Sequence, residues 1–501
     1  MDPQENRNPE TPPSAPAFPS HPRAWLAGLL VALTAGAGLA ARLGAGPSPG
    51  AGSTGPATLH FAATGSGPVD LGARLDREAI MDRGDGTVMM ELVLRGHAHE
   101  GATPPRSATD LVVVLDRSGS MQGEPLVHAR ASTRELVAGL GRSDRFALVS
   151  YANDARVDIP LSPAVDDARR VWRSRLDAVA AHGGTNMARG LDLANEIAAG
   201  ARAAGRSVRV ILISDGHANQ GDHTLEGLRA RAGRAVSGEF VLTTVGVGDG
   251  FDERLMTALA DAGTGNFYYV RDVERLASVF GDEFLSARET VARGLALEIE
   301  PGAGVSVVDA AGYPLEQAGD TVSVRPGALY AGQERRLWLT FEVDEDRRDP
   351  DGPPIELGRV ALRYRTLDDT PHLLALADRP SVAVVAEPRD FYAALDAEAY
   401  TEQLASDGLG SLRQRVAEAV QAGERGRARR LLDGFEQRNA PVLEGLGYVA
   451  EETEAMVEVK QMREEVDAAL APSAPAGSAN ALGKSLSSRG YDQRRAGAKR
   501  K

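Results

Sequence analysis

The strongest constraint on the fold is the run Leu111-Val112-Val113-Val114-Leu115, which has no polar break. A strand with one wet face alternates; an unbroken apolar run needs cover on both faces, as in a parallel sheet. Similar runs recur at 146–151, 208–214 and 240–245. Helical spacing fills 126–140, 168–181, 187–203 and 224–236. Strands alternating with helices of this length predict an α/β fold. Its sheet is doubly wound and mostly parallel, covered by helices on both faces, over residues 109–287.

The flanks follow other periods. Val88, Met90, Leu92 and Leu94 alternate with other residues, the mark of a half-buried strand, so 70–108 reads as a small β element. Leu337, Leu339, Phe341 and Val343 repeat that period among Gly and Pro, which predicts a β-sandwich-like domain over 288–386. Residues 387–470 read as a helical region, in which Val449, Met456, Val459, Met462, Val466 and Leu470 form one apolar face. From 471 to 501 the chain is low in complexity. Between Lys484 and Lys501 it carries seven basic residues against Asp492, so it reads as a disordered basic tail.

The N-terminal part sets the expected compartment. Residues 1–23 read as a disordered tail, and 24–41 run without a charge between Arg23 and Arg42. As a helix this run spans about 27 Å, near the thickness of a hydrocarbon core. It reads as a membrane anchor, with a cleaved signal segment and a buried soluble helix as alternatives. Residues 42–69, rich in Gly, Ala, Pro and Ser, read as a flexible linker. The bulk of the chain is then expected outside the cytoplasm, in the periplasm or at the cell surface. Seventy acidic against 56 basic residues give a net charge of −14, which disfavours nucleic acid as a partner. With no cysteine, disulfides, thiolate metal sites and cysteine nucleophiles are excluded.

The chemistry concentrates where the strands end. Ligands of open α/β sheets bind beyond the carboxyl ends of the strands. Asp116-Arg117-Ser118-Gly119-Ser120 follows the first buried run and supplies a carboxylate and two hydroxyls at alternate positions. Gly183-Gly184-Thr185 supplies another hydroxyl, and the run ending in Ser214-Asp215-Gly216 supplies a second carboxylate. All are oxygen donors, the ligands that hard cations such as Mg²⁺ prefer.

Asp116, Ser118 and Ser120, with Thr185 and Asp215, resemble the metal-ion-dependent adhesion site of the von Willebrand factor type A family. Residues 144–149, 244–248 and 266–269 also match its pattern. The resemblance implies that Ser118, Ser120 and Thr185 touch the metal, Mg²⁺ first with Mn²⁺ or Ca²⁺ as alternatives. It implies that Asp116 and Asp215 act mostly through water, and that a partner protein's Asp or Glu completes the coordination. By arrangement, the chain is similar to bacterial membrane-anchored proteins that carry such a domain. Gly123-Glu124-Pro125 departs from the family, which often has a basic residue near Glu124; an altered rim charge is expected there. His182, His217 and His223 are expected at the rim of the site.

The expected function is therefore Mg²⁺-dependent protein binding or adhesion, with no enzymatic activity. The alternative is an accessory subunit of an ATP-driven chelatase or chaperone-type complex. No nucleophile elbow, zincin or Walker motif occurs in the sequence.

Overall fold

The computed structural model describes residues 61–64, 67–97, 108–201, 206–238, 240–247, 251–270 and 290–495. The expected tail 1–23 and membrane segment 24–41 lie outside them. Among the described residues no helix is long and apolar enough to cross a membrane.

Strands β1 (Phe61–Thr64), β2 (Val69–Leu75), β3 (Ala79–Met81) and β4 (Thr87–Gly96) come first. The α/β segment follows with β5 (Ala108–Asp116), β6 (Arg145–Tyr151), β7 (Ala155–Pro163), β8 (Arg206–Ser214), β9 (Val241–Val247) and β10 (Thr264–Val270). They form one sheet in the order β10-β9-β8-β5-β6-β7. All neighbours are parallel except β7, which returns antiparallel beside β6. Its helices are α1 (Glu124–Gly139), α2 (Asp166–Asp177), α3 (Met187–Ala201), α4 (Leu225–Ser237) and α5 (Glu253–Ala262).

The unbroken apolar run explains the layering. Val112 and Val114 of β5 pack on one face with Met187, Leu191 and Ala194 of α3, Leu228 of α4 and Leu259 of α5. Leu111, Val113 and Leu115 pack on the other with Leu126 and Leu136 of α1 and Trp172 and Leu176 of α2. Each of the valines, leucines and methionines here contributes about 1.5–3 kcal/mol by burial. The sheet is doubly wound, as its sequence implies.

The chain then returns to β structure with β11 (Thr290–Pro301), β12 (Val305–Ala310), β13 (Glu316–Ala318), β14 (Thr321–Tyr330) and β15 (Glu334–Val343). It continues with β16 (Ile355–Glu356), β17 (Gly358–Arg365), β18 (Pro371–Ala375) and β19 (Ser381–Val385). The expected separate β element at 70–108 is corrected here. One sheet has the order β1-β2-β4-β15-β12, so strands before and after the α/β segment share it. The facing sheet runs β13-β14-β11-β17-β18, and β3 joins β16 and β19 in a small third one. Val88, Met90, Leu92 and Leu94 share one core with Leu337, Leu339, Phe341 and Val343. The α/β segment is thus inserted into the sandwich. Alternation shows that β4 has a buried face but not which strand covers it. The expected linker also ends early, because residues 61–64 pair with β2.

Helices α6 (Pro388–Ala393), α7 (Ala397–Gln403), α8 (Leu409–Gln421), α9 (Arg425–Gly445) and α10 (Glu454–Ala469) build the helical region. Met456, Val459, Met462 and Val466 are buried in its core, but Val449 is 61 % exposed and leaves the expected face. The disordered tail expected over 471–501 is corrected up to residue 495; residues 496–501 lie outside the described residues. Residues 478–494 form α11 (Ser478–Arg494), which packs along α8. Two glycines permit this: a Cβ on Gly490 would lie 2.6 Å from the Gly410 carbonyl oxygen. Arg489 and Arg494 of this helix and Arg495 just after it find fixed partners, Arg489 on Glu465, Arg494 on Asp407 and Asp309, and Arg495 on Asp261.

Candidate metal site and its relatives

Asp116 is the last residue of β5 and is fully buried, 0 % exposed. Ser118 Oγ and Ser120 Oγ lie 3.1 Å apart in the loop that follows. Thr185 is buried just before α3, and Asp215 is buried just after β8. The loops are tied to one another. Gly119 N donates to the Gly183 carbonyl at 2.9 Å, and Thr185 N donates to Asn219 Oδ1 at 2.9 Å. Gly183 has φ +75°, a conformation that glycine adopts without a Cβ clash. The strand ends thus bring all five expected residues to one edge of the sheet.

Two further residues, not singled out by sequence, set the state of Asp116. Ser214 Oγ donates to Asp116 Oδ2 at 2.6 Å, and Tyr151 OH donates to the same oxygen at 3.2 Å. Ser118 N donates to Oδ1 at 2.8 Å. A hydroxyl ending the apolar run 211–213 is a legible signal for Ser214. Tyr151 is found only through register, because β6 places it opposite Asp116.

The donor set fits a hard cation. Burial pushes the Asp116 carboxyl up to about 6; bonds from Ser214 and Ser118 oppose this, and the nearby charge of Asp215 adds to it. Thr185 Oγ1, in a buried residue, has no hydrogen-bond partner among the described residues. Two buried acids that make no ion pair stand beside hydroxyls, an oxygen set of the kind hard cations prefer. Among the described residues no cluster of three or more His, Asp or Glu suits a metal, so the hydroxyls define this site.

The rim is polar. Arg117 donates to Ser150 Oγ at 3.1 Å and lies 2.6 Å from His182 Nε2. His217 and His223 line a cleft beside Asp215 with Arg254. Away from this rim, His97 follows β4 and lies 2.6 Å from Asp70.

The family model of the von Willebrand factor type A domain matches residues 110–282. The uncharacterized protein YfbK of Escherichia coli is 31% identical over 195 residues, 38% of this chain and 34% of its own length. The uncharacterized protein sll0103 of Synechocystis sp. is 26% identical over 289 residues, 55% of this chain and 67% of its own. The chain therefore spans about a third of the first relative and two thirds of the second. A von Willebrand factor type A structure from Catenulispora acidiphila superposes with a TM-score of 0.60 at 20% identity, covering 86% of this chain and 98% of its own. The ArnB paralog VWA2 from Sulfolobus acidocaldarius gives a TM-score of 0.52 at 15% identity, covering 86% and 99%. These two share the fold well beyond the α/β segment. Residues 110–282 of this chain are a von Willebrand factor type A domain, set within a β-sandwich and followed by helices.

Proposed function

We propose that the protein is a Mg²⁺-dependent protein-binding module, tethered to a membrane through residues 24–41 with its bulk outside the cytoplasm. Domains of this family generally serve protein–protein interaction and adhesion. The observation that carries the finer reading is the buried pair Asp116 and Asp215, set among Ser118, Ser120 and Thr185 without a neutralising side chain. A bound Mg²⁺ supplies a hard centre that takes a carboxylate oxygen from a partner protein. Ser118, Ser120 and Thr185 present hydroxyl oxygens to it. Asp116 and Asp215 supply the charge that favours it, while Ser214 and Tyr151 hold Asp116 in place. The reading assigns no catalytic residue.

The test is capture of partners from membrane extract on the immobilised chain, with Mg²⁺, with chelator, and with Asp116→Ala. Capture should need Mg²⁺ and an intact Asp116. Partners retained equally in chelator and on Asp116→Ala contradict the bridging mechanism.

A further inference from the structure

A cavity of about 460 Å³ lies between the sandwich and the helical region, remote in sequence from the metal-site loops. Sites for small molecules usually have volumes of about 300–1,000 Å³ and favour junctions of this kind. Its lining is mixed: four arginines and three aspartates stand beside an apolar side formed by Ile80 and Met89 from the sandwich and Phe391, Leu412 and Phe435 from the helices.

One wall is unusual backbone. Residues Leu404–Gly408 form a π-helical turn between α7 and α8, and Leu404, Asp407 and Gly408 line the cavity. Such turns are rare and are frequently found at functional sites.

Most polar groups in the cavity are matched. Tyr400 OH donates to Asn439 Oδ1 at 2.9 Å, and Asn439 Nδ2 donates to the Phe435 carbonyl at 2.8 Å. Arg77 pairs with Asp76 at 2.7 Å, and Arg494 pairs with both Asp309 and Asp407. Asp85 accepts from Thr87 N and Oγ1. Among the described residues the hydroxyls of Thr340 and Ser411 have no partner, and neither do three larger lining groups. The Gln403 amide is only 4 % exposed and has no hydrogen-bond partner. Arg415 on α8 and Arg438 on α9 are exposed and pair with no carboxylate. Gln403 lines the cavity, so its free amide can bond a ligand or water there. Guanidinium groups match carboxylates in both charge and fork geometry.

We infer that this cavity binds a small organic acid. Its carboxylate is held at Arg415 and Arg438, its apolar body lies against Phe391 and Phe435, and Gln403 donates or accepts one hydrogen bond.

The test is calorimetry on the full chain with two probes of the same shape, 3-phenylpropionate and 3-phenylpropylamine. The acid should bind and the amine should not. An Arg415→Gln/Arg438→Gln double variant should lose about tenfold or more in affinity for the acid, the effect of a charged hydrogen bond. Both arginines are exposed, so an unchanged melting temperature will show that the variant is folded. Three results overturn the inference: no binding of the acid up to about 10 mM, equal or tighter binding of the amine, or unchanged affinity in the folded double variant.

Discussion

Strand β5 carries a buried acid near each end, and the two are treated in opposite ways. Asp110 and Asp116 are both 0 % exposed. Asp110 meets Arg145 Nε at 2.8 Å and Arg206 Nε at 2.9 Å. Burial pushes its pKa up, but the bonds and charges of the two arginines outweigh this and hold it below the ordinary value. Asp116 meets two hydroxyls, a backbone N–H and the charge of Asp215, and burial pushes it up to about 6. One end is neutralised from within and serves stability. The other makes no ion pair with an arginine or lysine, and it lies at the end where open α/β sheets bind ligands, the place of the proposed Mg²⁺.

Breaking the internally neutralised end should cost most. Asp110→Ala should destabilise by about 3 kcal/mol, as when one partner of a buried pair is removed. Urea unfolding should show this loss equally with and without Mg²⁺. The pH dependence follows from the lowered folded pKa. The contribution of Asp110 is fully present above its unfolded pKa, about 3.9, and is lost as pH falls through the lower folded value. Asp110→Asn should remove that part of the acid limb.

The other end should show the converse. Mg²⁺ at about a hundred times its dissociation constant should stabilise the chain by about 2.7 kcal/mol. Asp116→Asn should abolish this gain while changing metal-free stability less than Asp110→Ala does. A Mg²⁺-induced rise in melting temperature that persists in Asp116→Asn breaks the contrast.

A third buried acid sharpens it. Glu253 opens α5 and is buried. Burial pushes it up to about 7, against the pull of Ser487 and Lys484 on α11, with Asp252 adding to the rise. A raised acid destabilises the fold once it ionises. The penalty is absent below the unfolded pKa of about 4.3, grows with rising pH, and is complete above about 7. Glu253→Gln should therefore raise stability at pH 8 by about 2 kcal/mol and flatten the profile between these limits. An unchanged profile contradicts this assignment. The smallest effect is expected at the contact that seats α11. Gly490→Ala should cost about 1 kcal/mol by crowding the Gly410 carbonyl, and limited proteolysis should then cut within 478–494 sooner than in the parent chain.

What the sequence reveals here depends on how local the cause is. The α/β sheet was legible because β5 declares two covered faces in five consecutive side chains, and the adjoining loop carries its oxygens two residues apart. The pairing of β4 with β15 was not, because Val88 and Phe341 meet across the whole inserted domain. Alternation specifies a buried face without naming its cover. Helix α11 was hidden because little of it is apolar. Leu486 and Tyr491 are buried, and the rest of its seating comes from a glycine contact and from arginines whose acids lie far away in sequence. At the site, the five oxygen-bearing residues were readable, while Tyr151 became visible only through the register of β6 beside β5.

The central claim is that the carboxyl end of β5 is completed by an external cation. Calorimetric titration of the full chain with MgCl₂ tests it most directly, beside Asp116→Ala and a folded control altered elsewhere, Arg438→Gln. The account predicts one Mg²⁺ per chain in the parent and in Arg438→Gln, and none in Asp116→Ala. Absence of Mg²⁺ binding to the parent at about 10 mM, or equal binding to Asp116→Ala, contradicts it.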